Sequence, residues 1–189
     1  MKSIDRLLQA WRIEKTRRYI KPGARILDIG SADGALFRLL RIADARSMGI
    51  DPTLTRSTTV NTVPLIAGHF PNDMPAADPF DVITMLAVLE HFPVSQYENL
   101  KLGCAEFLKP GGLLLITVPS PKVDAVLAAL KFLRLIDGMS LEEHHGFKID
   151  LVTAIFSAEY FRPLKHMTFQ LGLNHLFIFS RHETGAVPS

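Results

Sequence analysis

The chain has 189 residues, of which 48% are hydrophobic and 21% charged, with a formal net charge of +2. That length fits one domain with a sizeable core and falls short of two, and the composition excludes a disordered, collagen-like or charge-polymer chain. The scattered basic residues give no nucleic-acid footprint, and a single cysteine, Cys104, excludes both an internal disulfide and a cysteine-rich metal site.

Lys2, Asp5 and Arg6 stand where a signal peptide would need an apolar run, and no stretch approaches the ~20 uninterrupted apolar residues of a membrane span. A cytoplasmic chain without stable membrane insertion is expected. Residues 4–20 place Ile4, Leu7, Leu8, Trp11 and Ile20 at roughly helical spacing, which predicts an amphipathic helix ended by Pro22-Gly23. Residues 24–30, ARILDIG, read as a buried parallel strand running into a turn. A helix follows with Leu36, Phe37, Leu39, Leu40 and Ile42 as its apolar face. A short strand at 47–50 ends in Asp51-Pro52, where proline stops it and completes a βαβ unit.

A weak strand at 63–67 is separated from a strong one, FDVITML at 80–86, by a proline-rich stretch. Residues 88–108 read as helical, with Glu90 and His91 at their start, and Pro110-Gly111-Gly112 turns the chain into LLLITVP. A second apolar helix, flanked by Lys122, Lys131 and Arg134, spans 126–136, and a further helix is expected around 150–156. Two β-rich segments, 166–171 and 175–181, meet at Gly172-Leu173-Asn174 as a hairpin. The alternation implies an α/β fold whose mostly parallel sheet is covered on both faces, with an antiparallel last strand.

The first strand ends in Asp28-Ile29-Gly30-Ser31-Ala32-Asp33-Gly34. Backbone must approach a nucleoside-bearing ligand closely here, and Gly30 and Gly34 remove the side chains that would obstruct it. The spacing departs by one residue from the dinucleotide pattern G-x-G-x-x-G, and the acids Asp28 and Asp33 suit a cationic group better than a phosphate. Asp51 follows Gly34 by 17 residues, at the end of the second strand. A carboxylate there can accept hydrogen bonds from both ribose hydroxyls.

The ordered set ILDIGSADG, GID, FDVITMLAVLEHF and LKPGGLLLITVP resembles the class I S-adenosylmethionine-dependent methyltransferases, in particular the small-molecule group with an LEH segment after the fourth strand. That resemblance implies a Rossmann-like three-layer sandwich with a seven-stranded sheet, and S-adenosylmethionine as cofactor. Asp28, Gly30, Ser31 and Gly34 would line its methionine and sugar, Asp51 would hold the ribose, and Pro52 would lie beside the adenine. Met85 and Leu86 would flank the adenine or the sulfonium, and Gly68 and His69 would address the adenine amino group. Ala32 stands where the family has its middle glycine, and His69 where it has an aspartate.

Methyl transfer needs alignment and exclusion of water rather than a nucleophilic side chain, and no Ser-His-Asp or Cys-His set is evident. A general base would help an oxygen acceptor; His91, His144 and His145 are the candidates. The segment EEHHGF, residues 142–147, also admits a metal site or a plain polar loop, and no metal is assigned. The expected layout is one domain over 1–189: an N-terminal helix in 1–21, a cofactor-binding core in 22–120, an acceptor-side insertion in 121–160 and a closing hairpin in 161–182. The function implied is methyl transfer to a small-molecule, sugar or lipid-like acceptor. A non-catalytic cofactor-binding subunit and a nicotinamide-dependent oxidoreductase are the alternatives, and the oligomeric state is left open.

Overall fold

The computed structural model describes residues 3–120, 149–156 and 159–183. Helix α1 (Ser3–Arg17) precedes β1 (Ile26–Ile29), α2 (Ala35–Leu39), β2 (Met48–Asp51), β3 (Thr58–Val60), β4 (Val63–Ala67) and β5 (Phe80–Leu86). Two single 3-10 turns, Leu89–His91 and Val94–Gln96, lead into α3 (Tyr97–Phe107) and β6 (Leu108–Pro119). Helix α4 (Asp150–Ile155), β7 (Phe161–Phe169) and β8 (Asn174–Arg181) follow.

The strands form one sheet in the order β3-β4-β2-β1-β5-β6-β8-β7. Its central strands β4, β2, β1, β5 and β6 run parallel, whereas β3 opposes β4 and β8 opposes both β6 and β7. Strand β1 has apolar neighbours on both faces, which is why ILDI shows no alternation and is buried at all four positions. One face packs Leu100 and Cys104 of α3, Val152 of α4 and Phe156 against Ile83, Met85 and Ile116; the other packs Ile13 of α1 and Phe37 of α2 against Leu65, Leu115 and Ile178. Phe156 anchors the first core, with ring centroids 5.6 Å from Phe161 and 5.9 Å from Phe179.

Four expectations change. The sheet has eight strands rather than seven, because the chain between β2 and β4 forms an antiparallel strand turned at Asn61 and Thr62, both in left-handed conformation (φ 49° and 71°). Among the described side chains of α1, Ile13 and Thr16 are buried, whereas Leu7 and Trp11, on the expected apolar face, stay exposed. The helix expected over 88–108 begins only at Tyr97, after Pro93 separates the two short turns. The closing turn is Gln170–Leu171–Gly172–Leu173, with Asn174 already in β8. The apolar segment 126–136 lies outside the described residues.

Candidate cofactor and acceptor site

The site lies where β1, β2 and β5 end. In-register pairing sets Asp28 beside Gly49 of β2 and Thr84 of β5. The Thr84 hydroxyl donates to Asp28 Oδ1 at 2.6 Å. Beyond Ile29 the chain folds back over β2, with Gly30 N and Ser31 N both donating to Ile50 O at 2.8 and 3.3 Å. Three residues of this turn are left-handed: Gly30 (φ 75°), Ala32 (φ 43°) and Gly34 (φ 74°). At Ala32 that conformation costs roughly 1–2 kcal/mol, which explains the glycine preference. Its N–H donates to Asp51 Oδ2 at 2.7 Å, holding the residue there.

Asp51 is a brace for two loops. Its other oxygen, Oδ1, accepts from Thr53 N at 2.7 Å and from the Thr53 hydroxyl at 2.5 Å. Asp33, by contrast, turns outward into an exposed ion pair with Arg38, so Asp28 and Asp51 are the carboxylates at the turn. The Ser31 side chain is buried against Gly49, where an added Cβ would come within 2.6 Å of Ser31 Oγ, and that oxygen has no hydrogen-bond partner among the described residues.

Burial pushes the Asp28 carboxyl up to about 7; the Thr84 hydrogen bond opposes the rise and the Asp51 charge adds to it. Between its ordinary 3.8 and that value the folded chain holds a proton that the unfolded chain releases, so stability falls as pH rises through this window. An Asp28→Asn variant is therefore expected to melt above wild type at pH 8 and level with it at pH 4. Thermal melts across that range check the sign, and a constant offset between the two proteins would contradict it.

A cavity of about 230 Å³ opens beside the turn and is lined by Gly30, Ile50, Pro52, His69, Val88 and His91, among others. The structure thus brings four of the predicted residues, Gly30, Pro52, His69 and His91, onto one surface. Gly68 packs against Asp73, where a Cβ would come within 2.6 Å of the Asp73 Cβ, and His69 N donates to Asp73 Oδ2 at 2.7 Å.

A family model for a methyltransferase domain matches residues 2–182. The chain belongs to that methyltransferase-domain family. Over 130 residues it is 30% identical to the ubiquinone biosynthesis O-methyltransferase of Xanthomonas campestris pv. campestris, covering 61% of this chain and 53% of that protein. The chain spans about half the length of the curated relatives it matches. A protein of Pyrococcus horikoshii OT3 superposes with a TM-score of 0.70 at 13% identity, over 96% of this chain and 92% of the other. The 1,6-didemethyltoxoflavin-N1-methyltransferase of Burkholderia thailandensis, solved with 1,6-didemethyltoxoflavin and S-adenosylhomocysteine, superposes with a TM-score of 0.66 at 16% identity, over 95% and 81%. At these identities the structural likeness establishes the fold.

In this methyltransferase domain Met85 is fully buried in the core between β1 and β6, so its side chain presents no surface to a ligand; Leu86, half-buried, packs toward the α1 face. His91 is exposed and lies on the Pro52 side of the site. His144 and His145 lie outside the described residues, as does the EEHHGF segment around them. Sequence reading missed Thr84, Thr53, Asp73 and Val88. Thr84 carried a signal, being the polar interruption in the apolar run VITML; the others are set by loop geometry.

Proposed function

We propose that this methyltransferase domain binds S-adenosylmethionine and transfers its methyl group to a small-molecule acceptor by direct in-line displacement. The observation that carries the reading is the left-handed turn Gly30–Gly34, clamped to Asp51 and adjoining the cavity floored by Gly30 and Pro52. Gly30 lets Val88 close against the turn, Asp51 supplies a carboxylate at the ribose position, and Pro52 and His69 line the cavity on the side where the adenine would lie. Asp28 suits the amino-acid end, where an ammonium would favour its ionised form. When bound, S-adenosylmethionine supplies a methyl carbon already activated by a positive sulfur. The chain then has only to orient both reactants and exclude water.

The matched curated relatives are named for O-methyl transfer and the toxoflavin neighbour for N-methyl transfer, which supports a small acceptor with an oxygen or nitrogen nucleophile. In this reading residues 22–120 form the cofactor core, and residues 121–160, including His144 and His145, contribute to the acceptor side. Isothermal titration with S-adenosylmethionine, S-adenosylhomocysteine and NAD tests the cofactor. Saturable binding of the first two is expected, at about 1 μM to 1 mM. Binding of NAD with no response to the sulfonium compound would sink the reading.

A further inference from the structure

The cavity beside the Gly30–Gly34 turn carries no fixed charge. Among the described residues that line it there is no aspartate, glutamate, lysine or arginine; its polar side chains are His69, His91 and Gln96, and Pro52, Phe70 and Phe92 give it apolar walls. At about 230 Å³ it falls below the ~300–1,000 Å³ of pockets that enclose a drug-sized ligand, and so offers room for one ring system rather than a whole nucleoside. The carboxylates of the two adjoining loops, Asp51 and Asp73, stay outside the lining. Asp73 instead holds the chain at His69: its Oδ2 accepts from His69 N at 2.7 Å, and its N donates to His69 O at 2.9 Å. The His69 backbone is thereby pinned, while no hydrogen bond among the described residues fixes which of its ring nitrogens carries the proton.

A purine edge comes in two opposite patterns. A 6-amino purine donates from its exocyclic nitrogen and accepts at N1, whereas a 6-oxo purine accepts at its oxygen and donates from N1. A carboxylate only accepts, so it pairs with the first and repels the second. A neutral imidazole has one nitrogen that donates and one that accepts, and it exchanges them by changing tautomer; a primary amide does the same by a half-turn of its plane. Resting on the methyl-transfer reading, we propose that this cavity takes the purine of the cofactor and that His69, with Gln96, reads the six position in either sense, so that a 6-oxo purine form binds about as well as the 6-amino one. A site committed to one pattern leaves a polar group unpaired on meeting the other, and can discriminate by about 10⁴–10⁵. The reversible groups of this cavity give that discrimination up.

The test compares S-adenosylhomocysteine with S-inosylhomocysteine, in which oxygen replaces the six-amino group, by isothermal titration. For the wild-type chain the two dissociation constants are expected to lie within about tenfold of each other. His69→Asp puts an acceptor-only group at the same place, and because His69 is exposed the substitution leaves the core untouched. It is expected to weaken the inosyl compound at least about tenfold relative to the adenosyl one, since two acceptors then face each other. Adenosyl binding more than about tenfold tighter in wild type, or the same ratio in His69→Asp as in wild type, would overturn the proposal. If neither compound binds, the methyl-transfer reading fails and takes the purine assignment with it; if the adenosyl compound alone binds, that reading stands and only the role of His69 fails.

Discussion

Replacing Asp51 by alanine is expected to weaken S-adenosylmethionine binding by on the order of a hundredfold, the loss of one or two hydrogen bonds to a charged group. One ribose contact alone would predict about tenfold. The larger figure follows because the carboxylate also holds the Ala32 N–H and both donors of Thr53, so its removal frees the turn on one side and the Pro52 loop on the other. Only 5% of Asp51 is exposed, so most of the carboxylate is taken up by these loop contacts. Asp51→Asn tests the bracing with a side chain of nearly the same shape. The amide keeps one acceptor oxygen but turns an NH2 toward either Ala32 N or Thr53 N, where two donors then meet. Asparagine is expected to recover little of the affinity, and calorimetry with S-adenosylmethionine decides it. Wild-type affinity in the alanine variant would remove Asp51 from the site.

Gly30→Ala is expected to cost about 2–4 kcal/mol of stability and to abolish cofactor binding. Two effects add. A residue with a Cβ at φ 75° incurs roughly 1–2 kcal/mol of left-handed strain. The new methyl would also lie 2.3 Å from Val88 Cγ2 and 2.8 Å from Val88 Cγ1, forcing the chain after β5 to move. Adding Val88→Ala to Gly30→Ala is expected to return the steric part and leave the conformational part, so a double-mutant cycle under urea denaturation apportions them. A Gly30→Ala protein as stable as wild type would mean that the turn is not held as described.

The strands of the parallel core were legible because each is an apolar run bounded by turn residues: residues 63–67 and 80–86 are β4 and β5 as expected, and the closing hairpin falls where the last two β-rich segments lie. Strand β3 was not legible. Residues 58–60, Thr-Thr-Val, carry β-branched side chains but only one apolar position, and it is pairing with β4 that makes them a strand. The start of α3 was obscured by the helix-forming residues around Pro93, which read as one helix with those beyond it. Among the candidate site residues, Asp28, Gly30, Asp51 and Pro52 are legible as the ends of β1 and β2 and the residues just beyond them, and Gly34 as the start of α2. Met85 was drawn in by its place at the end of a strand, whereas its burial is decided by packing that a linear pattern does not carry.

Strand β8 runs antiparallel between β6 and β7, and seven of its eight residues are buried. Until it has been synthesised, β6 has an open edge along Leu113–Pro119 and both hydrophobic cores lack a wall. The cradle at the ends of β1 and β2 is made of residues 28–53, which leave the ribosome well before residues 174–181 that complete the sheet. Assembly of this sheet is therefore a closing event that waits for β8 rather than stepwise growth from the first strand. Truncations or slow codons between β6 and β8 would then be felt as aggregation of nascent chains before they are felt as lost ligand binding.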